Sequence, residues 1–211
     1  MELEVSQVIN DLISSAMMAI VRTSSTEDAR SLGRALIVSG VKVLEFTTTC
    51  PDVFSLVEEF TGRAGISVGV GTVLTIKDVA NAKSAGASFI VSPNTDAEII
   101  VATKNSGLVS IPGVATASDV ANSIHAGADA LKIFPASTYG PRHLRALRDP
   151  FPNQVWVATG GVTLETIGDW IQAGASAFGL GGPLMSGGLA EIDQRVELFK
   201  TEILRARKVQ G

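Results

Sequence analysis

The sequence is poor in the residues that build disulfide frameworks and in the soft ligands of most protein metal sites. It contains one cysteine, Cys50, and two histidines in 211 residues. A lone cysteine excludes an intrachain disulfide and suits a reducing compartment. So few histidines and cysteines exclude a zinc cluster of the common kind, and the acidic residues show no grouped spacing that would indicate magnesium. We therefore expect no metal.

An excess of positive charge and a long apolar run are also missing. The formal net charge is -4 and the isoelectric point is near 5.2, so the protein has no basic field for nucleic acid. No apolar run approaches the length of a membrane span, and the acidic start of the chain lacks the basic residues of a secretory signal. These absences predict a cytoplasmic protein with neither a nucleic-acid nor a membrane partner.

Short apolar runs alternate with helical patterns along the chain, which is long enough for one sizeable core and is predicted to form one domain over residues 1–211. Most of the helical patterns end at a glycine, the residue that most readily forms a left-handed helix cap. The strand-like runs are Met17–Val21, Val41–Phe46, Ile66–Val70, Phe89–Ser92, Leu108–Ile111, Ala130–Phe134, Val155–Ala158 and Ala177–Leu180.

The helical patterns that separate these runs complete a regular alternation. An amphipathic pattern from Leu3 to Ile13 precedes the first strand, and the later ones are Thr26–Ser39, Asp52–Thr61, Ile76–Ala85, Asp96–Ser106, Ala117–Ala126, Arg142–Leu147, Leu164–Ala173 and Leu189–Lys208. Apolar strands that alternate with helices favour a parallel sheet covered by helices. Eight such units predict an α/β fold, a (β/α)₈ TIM barrel with an extra N-terminal helix. An open doubly wound sheet is the alternative, but the segment after the first strand, Arg22-Thr-Ser-Ser-Thr, lacks its glycine-rich turn.

Lys132 is the one charged residue in the strand-like run Ala130–Phe134. A lysine is almost never fully buried without a partner, and a desolvated ammonium tends to lose its proton. A neutral amine at a strand end is suited to attack a carbonyl substrate and form a Schiff base. The alternative is a lysine whose stem is buried while its charged end reaches water.

Glu45 is the second charged residue that a barrel would place near its mouth. By strand alternation, Val43 and Glu45 lie on the same face of their strand, and Ala130 and Lys132 likewise lie on the same face of theirs. The carboxylate and the amine are therefore predicted to face the barrel interior, with Glu45 as the proton carrier. A buried salt bridge without chemistry is the alternative, although such a pair gives little net stability.

Two glycine pairs follow the last two strands, Gly160-Gly161 and Gly181-Gly182. In TIM barrels the loops after strands seven and eight commonly bind phosphate through backbone N–H groups. Each pair alone could be a tight turn. Their joint position favours a phosphorylated ligand.

Several segments together resemble the 2-keto-3-deoxy-6-phosphogluconate (KDPG) / 4-hydroxy-2-oxoglutarate (KHG) aldolase family. The resemblance extends from about Met18 to Ser186. Its segments are Leu44–Thr47, Val70–Leu74, Val91–Asn94, Ile111–Thr116, Leu131–Pro135 and Thr159–Val162.

The resemblance implies a class I aldolase that releases pyruvate and an aldehyde, needs no metal or other cofactor, and forms a homotrimer. The resemblance also implies that Lys132 forms the imine and that Glu45 transfers protons. Further roles are implied for Thr159 in substrate contact, Thr72 with the pyruvate carboxylate, Pro93 and Phe134 in packing beside it, and Gly160, Gly161, Gly181 and Gly182 with phosphate.

The sequence departs from the family pattern at two positions. Thr49 stands where the family often has an arginine that pairs with the pyruvate carboxylate, and Arg22 could supply that charge instead, or be an ordinary surface residue. Pro183 stands where the gluconate enzymes commonly have a serine, and proline offers neither N–H nor hydroxyl to phosphate. An unphosphorylated natural substrate is therefore a second possibility.

The substrate and the class of protein have alternatives. Leu131–Pro141 is most similar to the phosphogalactonate aldolases, whereas Thr159 is the gluconate-type residue. A barrel isomerase or epimerase, or a non-catalytic sugar-phosphate binding protein, would share the phosphate loops. Neither would need Lys132 as a covalent group.

Overall fold

The computed structural model describes residues 2–209, with side chains from residue 7 onward, and confirms the alternation of strands and helices. The strands are β1 (Met17–Val21), β2 (Val43–Thr47), β3 (Ser67–Gly71), β4 (Phe89–Val91), β5 (Val109–Ile111), β6 (Gly113–Val114), β7 (Leu131–Ile133), β8 (Trp156–Thr159) and β9 (Ala177–Leu180). The helices are α1 (Glu2–Ser15), α2 (Thr26–Val38), α3 (Val53–Phe60), α4 (Ile76–Ser84), α5 (Ala97–Asn105), α6 (Ala117–His125), α7 (Ala136–Arg148), α8 (Ile167–Ala173), α9 (Gly182–Met185) and α10 (Ile192–Lys208). Short 3₁₀ turns at Leu164–Thr166 and Leu189–Glu191 precede α8 and α10.

The strands pair in parallel in the order β5-β4-β3-β2-β1-β9-β8-β7-β6. The two ends of this list, β5 and β6, are separated in the chain only by Pro112. They are therefore two pieces of one barrel strand, interrupted where proline has no N–H to donate. The Pro112 carbonyl still accepts a hydrogen bond of 2.9 Å from the Lys132 amide. The sheet closes on itself, and the predicted (β/α)₈ TIM barrel is confirmed.

Alternate strand residues divide between two apolar clusters. The barrel interior holds Met18, Val43, Phe89, Val109, Ala130, Val157 and Ala177. Their strand neighbours, such as Leu44 and Leu131, pack outward under the helices in a larger cluster. Every second side chain along a strand therefore faces the barrel interior, and the residues between them face the helices.

Helix α1 closes one end of the barrel. Its Val8 and Leu12 side chains belong to the interior cluster, and the helix packs against β1, β2, β5 and β9. The predicted extra N-terminal helix is therefore confirmed. The side chains of Leu3 and Val5, which contributed to that prediction, lie outside the described side chains.

Capping residues fix where several helices begin and end. Thr116 and Asp119 form a reciprocal capping box at the start of α6. Gly174 ends α8 in the left-handed conformation, with φ 98°, which a residue without Cβ adopts at little cost. Such caps allow each helix to return the chain to the next strand within a few residues.

Three elements differ from the prediction. The fifth strand is split at Pro112 into β5 and β6. Helix α7 begins at Ala136 instead of Arg142, because two helical pieces join across Gly140, whose φ of 75° and ψ of 168° are not helical. The short α9 was not predicted, since two of its four residues are glycine and proline. Of the helices in residues 2–209, none has the length and apolar character needed to cross a bilayer.

Candidate active site

Lys132 lies on β7 with its side chain inside the barrel, where the residue is only 5% exposed. Its Nζ atom is 4.8 Å from the centre of the Phe134 ring. Burial lowers the pKa of the Lys132 ammonium below its usual value, the Glu45 charge opposes that change, and the Arg22 charge adds to it. A larger share of neutral amine follows, which is the form that attacks a carbonyl.

Glu45 lies on β2 and is 1% exposed. Burial raises the pKa of its carboxyl group, while the charges of Lys132 and Arg22 act in the opposite direction. Its Oε2 atom has no hydrogen-bond partner among the described residues. Within the same part of the chain, no ion pair of 4.0 Å or less joins Glu45 to Lys132. The carboxylate is therefore near the amine without being bound to it.

Gly71 on the neighbouring strand β3 provides the space for the Glu45 side chain. A Cβ atom at residue 71 would overlap Oε1, Cδ and Cγ of Glu45. The carboxylate thus occupies volume that a side chain on β3 would otherwise fill.

Thr159 at the end of β8 presents a buried hydroxyl. The residue is 4% exposed, and its Oγ1 has no hydrogen-bond partner in the part of the chain that is described. A Cβ at Gly179 on β9 would overlap that oxygen. A buried hydroxyl without a partner is costly, so Thr159 is suited to bond a polar atom of a ligand.

Arg22 follows β1 and extends across the end of β2. Its Nη2 donates a hydrogen bond of 3.0 Å to Thr72 Oγ1. Thr72 follows β3 and has a positive φ of 59°, and its carbonyl accepts a hydrogen bond of 2.8 Å from Thr48 Oγ1. The guanidinium is thereby held over the barrel mouth.

These side chains surround a pocket of about 180 Å³ at the carboxyl ends of the strands. Its lining comprises Arg22, Glu45, Lys132, Phe134, Thr159, Gly160, Gly161, Gly181 and Gly182, all predicted from the sequence, together with Ile20, Val162, Gly179 and Pro183. Sequence reasoning did not assign Ile20, Val162 and Gly179 to the site. Strand alternation could have indicated Ile20, because it lies two residues after the interior residue Met18.

Three predicted substrate-binding residues lie outside this lining. Thr49 is exposed, and its hydroxyl forms a hydrogen bond of 2.7 Å with Thr47 Oγ1. Thr72 is connected to the pocket through Arg22. Pro93 presents its carbonyl to β6, where a Cβ at Gly113 would overlap it. Across the described residues, no group of three His, Cys, Asp or Glu side chains is arranged to hold a metal ion.

Comparison with known proteins identifies the family to which this barrel belongs. A family model described as KDPG and KHG aldolase matches residues 8–200. The chain belongs to the KDPG and KHG aldolase family. It is therefore an aldolase, a lyase that cleaves carbon–carbon bonds, and the family assignment, the enzyme class and the reaction type predicted from the sequence are confirmed.

Two curated relatives illustrate the range of the family. A probable 2-dehydro-3-deoxy-6-phosphogalactonate aldolase of Rhizobium meliloti (strain 1021) is 34% identical over 188 residues, covering 88% of this chain and 89% of that protein. A 2-dehydro-3-deoxy-phosphogluconate aldolase of Treponema pallidum (strain Nichols) is 30% identical over 160 residues, covering 74% of this chain and 75% of that protein. The curated relatives thus include aldolases named for phosphogalactonate and for phosphogluconate.

Solved structures of the family share the barrel. A native KDPGal structure is 31% identical, with a TM-score of 0.82 over 91% of this chain and 96% of that chain. A KDPG aldolase of Legionella pneumophila, solved with pyruvate captured as a covalent carbinolamine, is 25% identical, with a TM-score of 0.76 over 93% of this chain and 96% of that chain.

Proposed function

We propose that this aldolase is a class I enzyme that cleaves KDPG or 4-hydroxy-2-oxoglutarate through a Schiff base on Lys132. The products are pyruvate with glyceraldehyde 3-phosphate or glyoxylate. One observation supports this most directly: a lysine that is 5% exposed lines an open pocket and forms no ion pair with the nearby Glu45 among the described residues. The carbinolamine in the Legionella pneumophila relative is the first adduct of this chemistry.

The mechanism begins when neutral Lys132 adds to the C2 ketone to give a carbinolamine. Loss of water gives an imine, and the protonated imine withdraws electrons from the C3–C4 bond. Glu45, directly or through a water, removes the proton of the C4 hydroxyl, the C3–C4 bond breaks, and the aldehyde leaves. Glu45 then returns a proton to C3 of the enamine. Hydrolysis of the resulting imine releases pyruvate and regenerates the amine.

The substrate carboxylate requires a cation, and Arg22 is the residue of this pocket suited to provide it. It takes the role that the family arginine would have at Thr49, with Thr72 holding its guanidinium. Phe134, whose ring centre is 4.8 Å from Lys132 Nζ, packs beside the imine carbon, and the family resemblance implies that Pro93 packs beside the substrate carboxylate. Thr159 offers a substrate oxygen its buried hydroxyl, which bonds no other described residue.

The phosphate group is assigned to the glycine loops after β8 and β9. Gly160 and Gly161 have φ values of 89° and 84°, and they line the pocket together with Gly181 and Gly182. Backbone N–H groups in such loops can surround an anion without a charged side chain. Pro183 removes one donor from this loop, which makes the unphosphorylated substrate 4-hydroxy-2-oxoglutarate a real competitor.

A 2-keto-3-deoxy-6-phosphogalactonate substrate is the second candidate. The 34% identity to the Rhizobium meliloti protein favours it, whereas Thr159 favours the gluconate configuration. Measuring pyruvate release from the phosphogluconate, phosphogalactonate and unphosphorylated substrates at equal concentration would rank the three.

We also propose that the chain is a cytoplasmic homotrimer, as the family resemblance implies. Light scattering coupled to size-exclusion chromatography measures the assembly directly.

The imine is tested by treating the enzyme with pyruvate and borohydride and locating the label by mass spectrometry. We expect one irreversible adduct, on Lys132, and none in a Lys132→Ala variant with an unchanged circular dichroism spectrum. A barrel isomerase or a binding protein would show no adduct. Label that persists in the Lys132→Ala protein would exclude this mechanism.

A further inference from the structure

Strand β3 presents two glycines to the barrel interior. Val68 and Val70 pack outward in the cluster under the helices, so Gly69 and Gly71 face inward by alternation. Each leaves a recess that a neighbouring strand fills. A Cβ at Gly69 would overlap the Phe89 ring from β4, and a Cβ at Gly71 would overlap the Glu45 carboxylate from β2.

We infer that Gly71 is a positioning residue that keeps the Glu45 carboxylate in the recess of β3 and so prevents it from pairing with Lys132. The inference rests on the proposed imine chemistry, in which Lys132 must react as a neutral amine. Glu45 and Lys132 both lie within strands that are hydrogen-bonded to a neighbouring strand on each side. The position of the carboxylate is therefore set by the space available to the side chain of Glu45.

An added methyl group at residue 71 would displace the Glu45 side chain into the pocket. It would overlap Oε1, Cδ and Cγ of Glu45, which belong to a flexible side chain and not to the backbone. Ile20 stands beside Glu45 on β1, and the Phe89 ring occupies the recess at Gly69, which is paired with Glu45. The open volume next to Glu45 is the pocket that it shares with Lys132.

A carboxylate moved into the pocket would change the chemistry of the lysine. Two charged groups act on Lys132, Glu45 from β2 and Arg22 from the end of β1. Bringing the negative charge closer stabilises the ammonium, whereas Arg22 remains where Thr72 holds it. The neutral fraction at a given pH would fall, and imine formation would slow.

The test compares wild type and Gly71→Ala in the rate of borohydride trapping by pyruvate as a function of pH. An opposite charge that comes within contact distance typically moves a pKa by about 1–3 units. We expect the midpoint of the trapping profile to rise by at least about one pH unit and trapping at pH values below the wild-type midpoint to slow by about tenfold. Gly168→Ala, in helix α8 where a Cβ would meet nothing within 4 Å, is the matched control and should leave the profile unchanged.

A double-mutant cycle separates this effect from general loosening of the strand. In the Glu45→Ala background the three overlapping atoms of residue 45 are absent, so the added methyl should cost less than about threefold, and the difference is the coupling between residues 45 and 71. Equal costs in the two backgrounds, or an unchanged pH midpoint in a Gly71→Ala protein that is still trapped, would overturn the inference.

Two further outcomes also decide the matter. If Gly71→Ala alone does not fold, the Glu45→Ala/Gly71→Ala protein must fold, because the overlapping side chain is gone; failure there contradicts the inference. If wild type itself is not trapped on Lys132, the proposed function fails and takes this inference with it. An unchanged profile in a trappable variant removes the inference alone.

Discussion

Arg22, at the end of β1, donates a 3.0 Å hydrogen bond to Thr72, just past β3, and thereby crosses the end of β2, which lies between those strands. The pocket below this bridge contains Glu45 and Lys132. The bridge therefore places a positive charge at the entrance to the proposed site, although Thr49, where the family resemblance would place an arginine, is neutral.

Replacing Arg22 should weaken the binding of the keto acid more than it slows the chemical step. A hydrogen bond to a charged group contributes about 1.5–3 kcal/mol, so Arg22→Gln should raise the KM for the substrate by about 10- to 100-fold with a smaller change in kcat. Steady-state kinetics of pyruvate release measures both constants. Arg34→Gln, which removes a surface arginine paired with Glu59 at 2.8 Å, serves as the control. A larger fall in kcat than rise in KM would assign Arg22 a different role.

Glu45→Gln should preserve the fold and remove proton transfer. A positioned general acid or base contributes about 10²- to 10⁴-fold, so exchange of the pyruvate methyl protons with deuterated water should slow by at least about 100-fold. Nuclear magnetic resonance follows this exchange, and borohydride trapping on Lys132 should persist. Exchange at the wild-type rate would exclude Glu45 as the base.

The charges around Lys132 predict opposite pH shifts in two variants. Glu45 raises the pKa of the Lys132 ammonium and Arg22 lowers it. Glu45→Gln should therefore move the midpoint of imine trapping to lower pH, and Arg22→Gln should move it to higher pH. In wild type the midpoint should lie below 10.5, the ordinary lysine value, because burial is the largest cause of the shift. Shifts of the same sign in both variants would contradict the pocket's electrostatics.

Lys132→Met should stabilise the protein while it abolishes activity. Lys132 forms no ion pair with a described residue, so replacing its buried amine with an apolar side chain of similar volume removes a desolvation cost of about 1–3 kcal/mol. The pKa of Lys132 is lowered on folding, so the unfolded chain binds more protons between that lowered pKa and 10.5, and wild-type stability rises with pH across this window. The advantage of the variant should therefore be greatest below the lowered pKa of Lys132 and shrink as the pH rises toward 10.5. Urea unfolding at several pH values measures it, and a variant less stable than wild type at neutral pH would count against an unpaired lysine.

Pro183→Ser should favour phosphorylated substrates. The serine would restore an N–H and a hydroxyl in the loop that lines the pocket beside Gly181 and Gly182, and one hydrogen bond to a charged group amounts to about tenfold in affinity. We expect kcat/KM for the phosphorylated substrate to rise by up to about tenfold, with no change for 4-hydroxy-2-oxoglutarate. An equal rise for both would indicate an effect unrelated to phosphate.

The alternation of strands and helices allowed the barrel to be predicted, because strand length and helix caps are local properties. The split at Pro112 could not be predicted, since it depends on how β5 and β6 meet β4 and β7 across the closure of the sheet. The early start of α7 was missed because Gly140 and Pro141 are helix breakers in sequence, whereas the chain resumes the helix after one non-helical residue.

The inward faces of Glu45 and Lys132 followed from strand alternation, and the structure places both in the pocket. The hydrogen bond between Arg22 and Thr72 could not be inferred, because it joins two loops separated by 50 residues. The contact of Gly71 with Glu45 depends on the register of β2 against β3, which no local pattern specifies.

The two inward glycines of β3 also bear on attempts to make this enzyme more heat-resistant. Glycine within a strand costs about 0.5–1 kcal/mol relative to alanine, so a search for stabilising replacements would select both positions. At Gly69 the added methyl meets an aromatic ring, and at Gly71 it meets the carboxylate that is proposed to carry protons. Thermal tolerance and turnover would therefore be set against each other at residue 71, where the strand gives up stability to accommodate a neighbour's side chain.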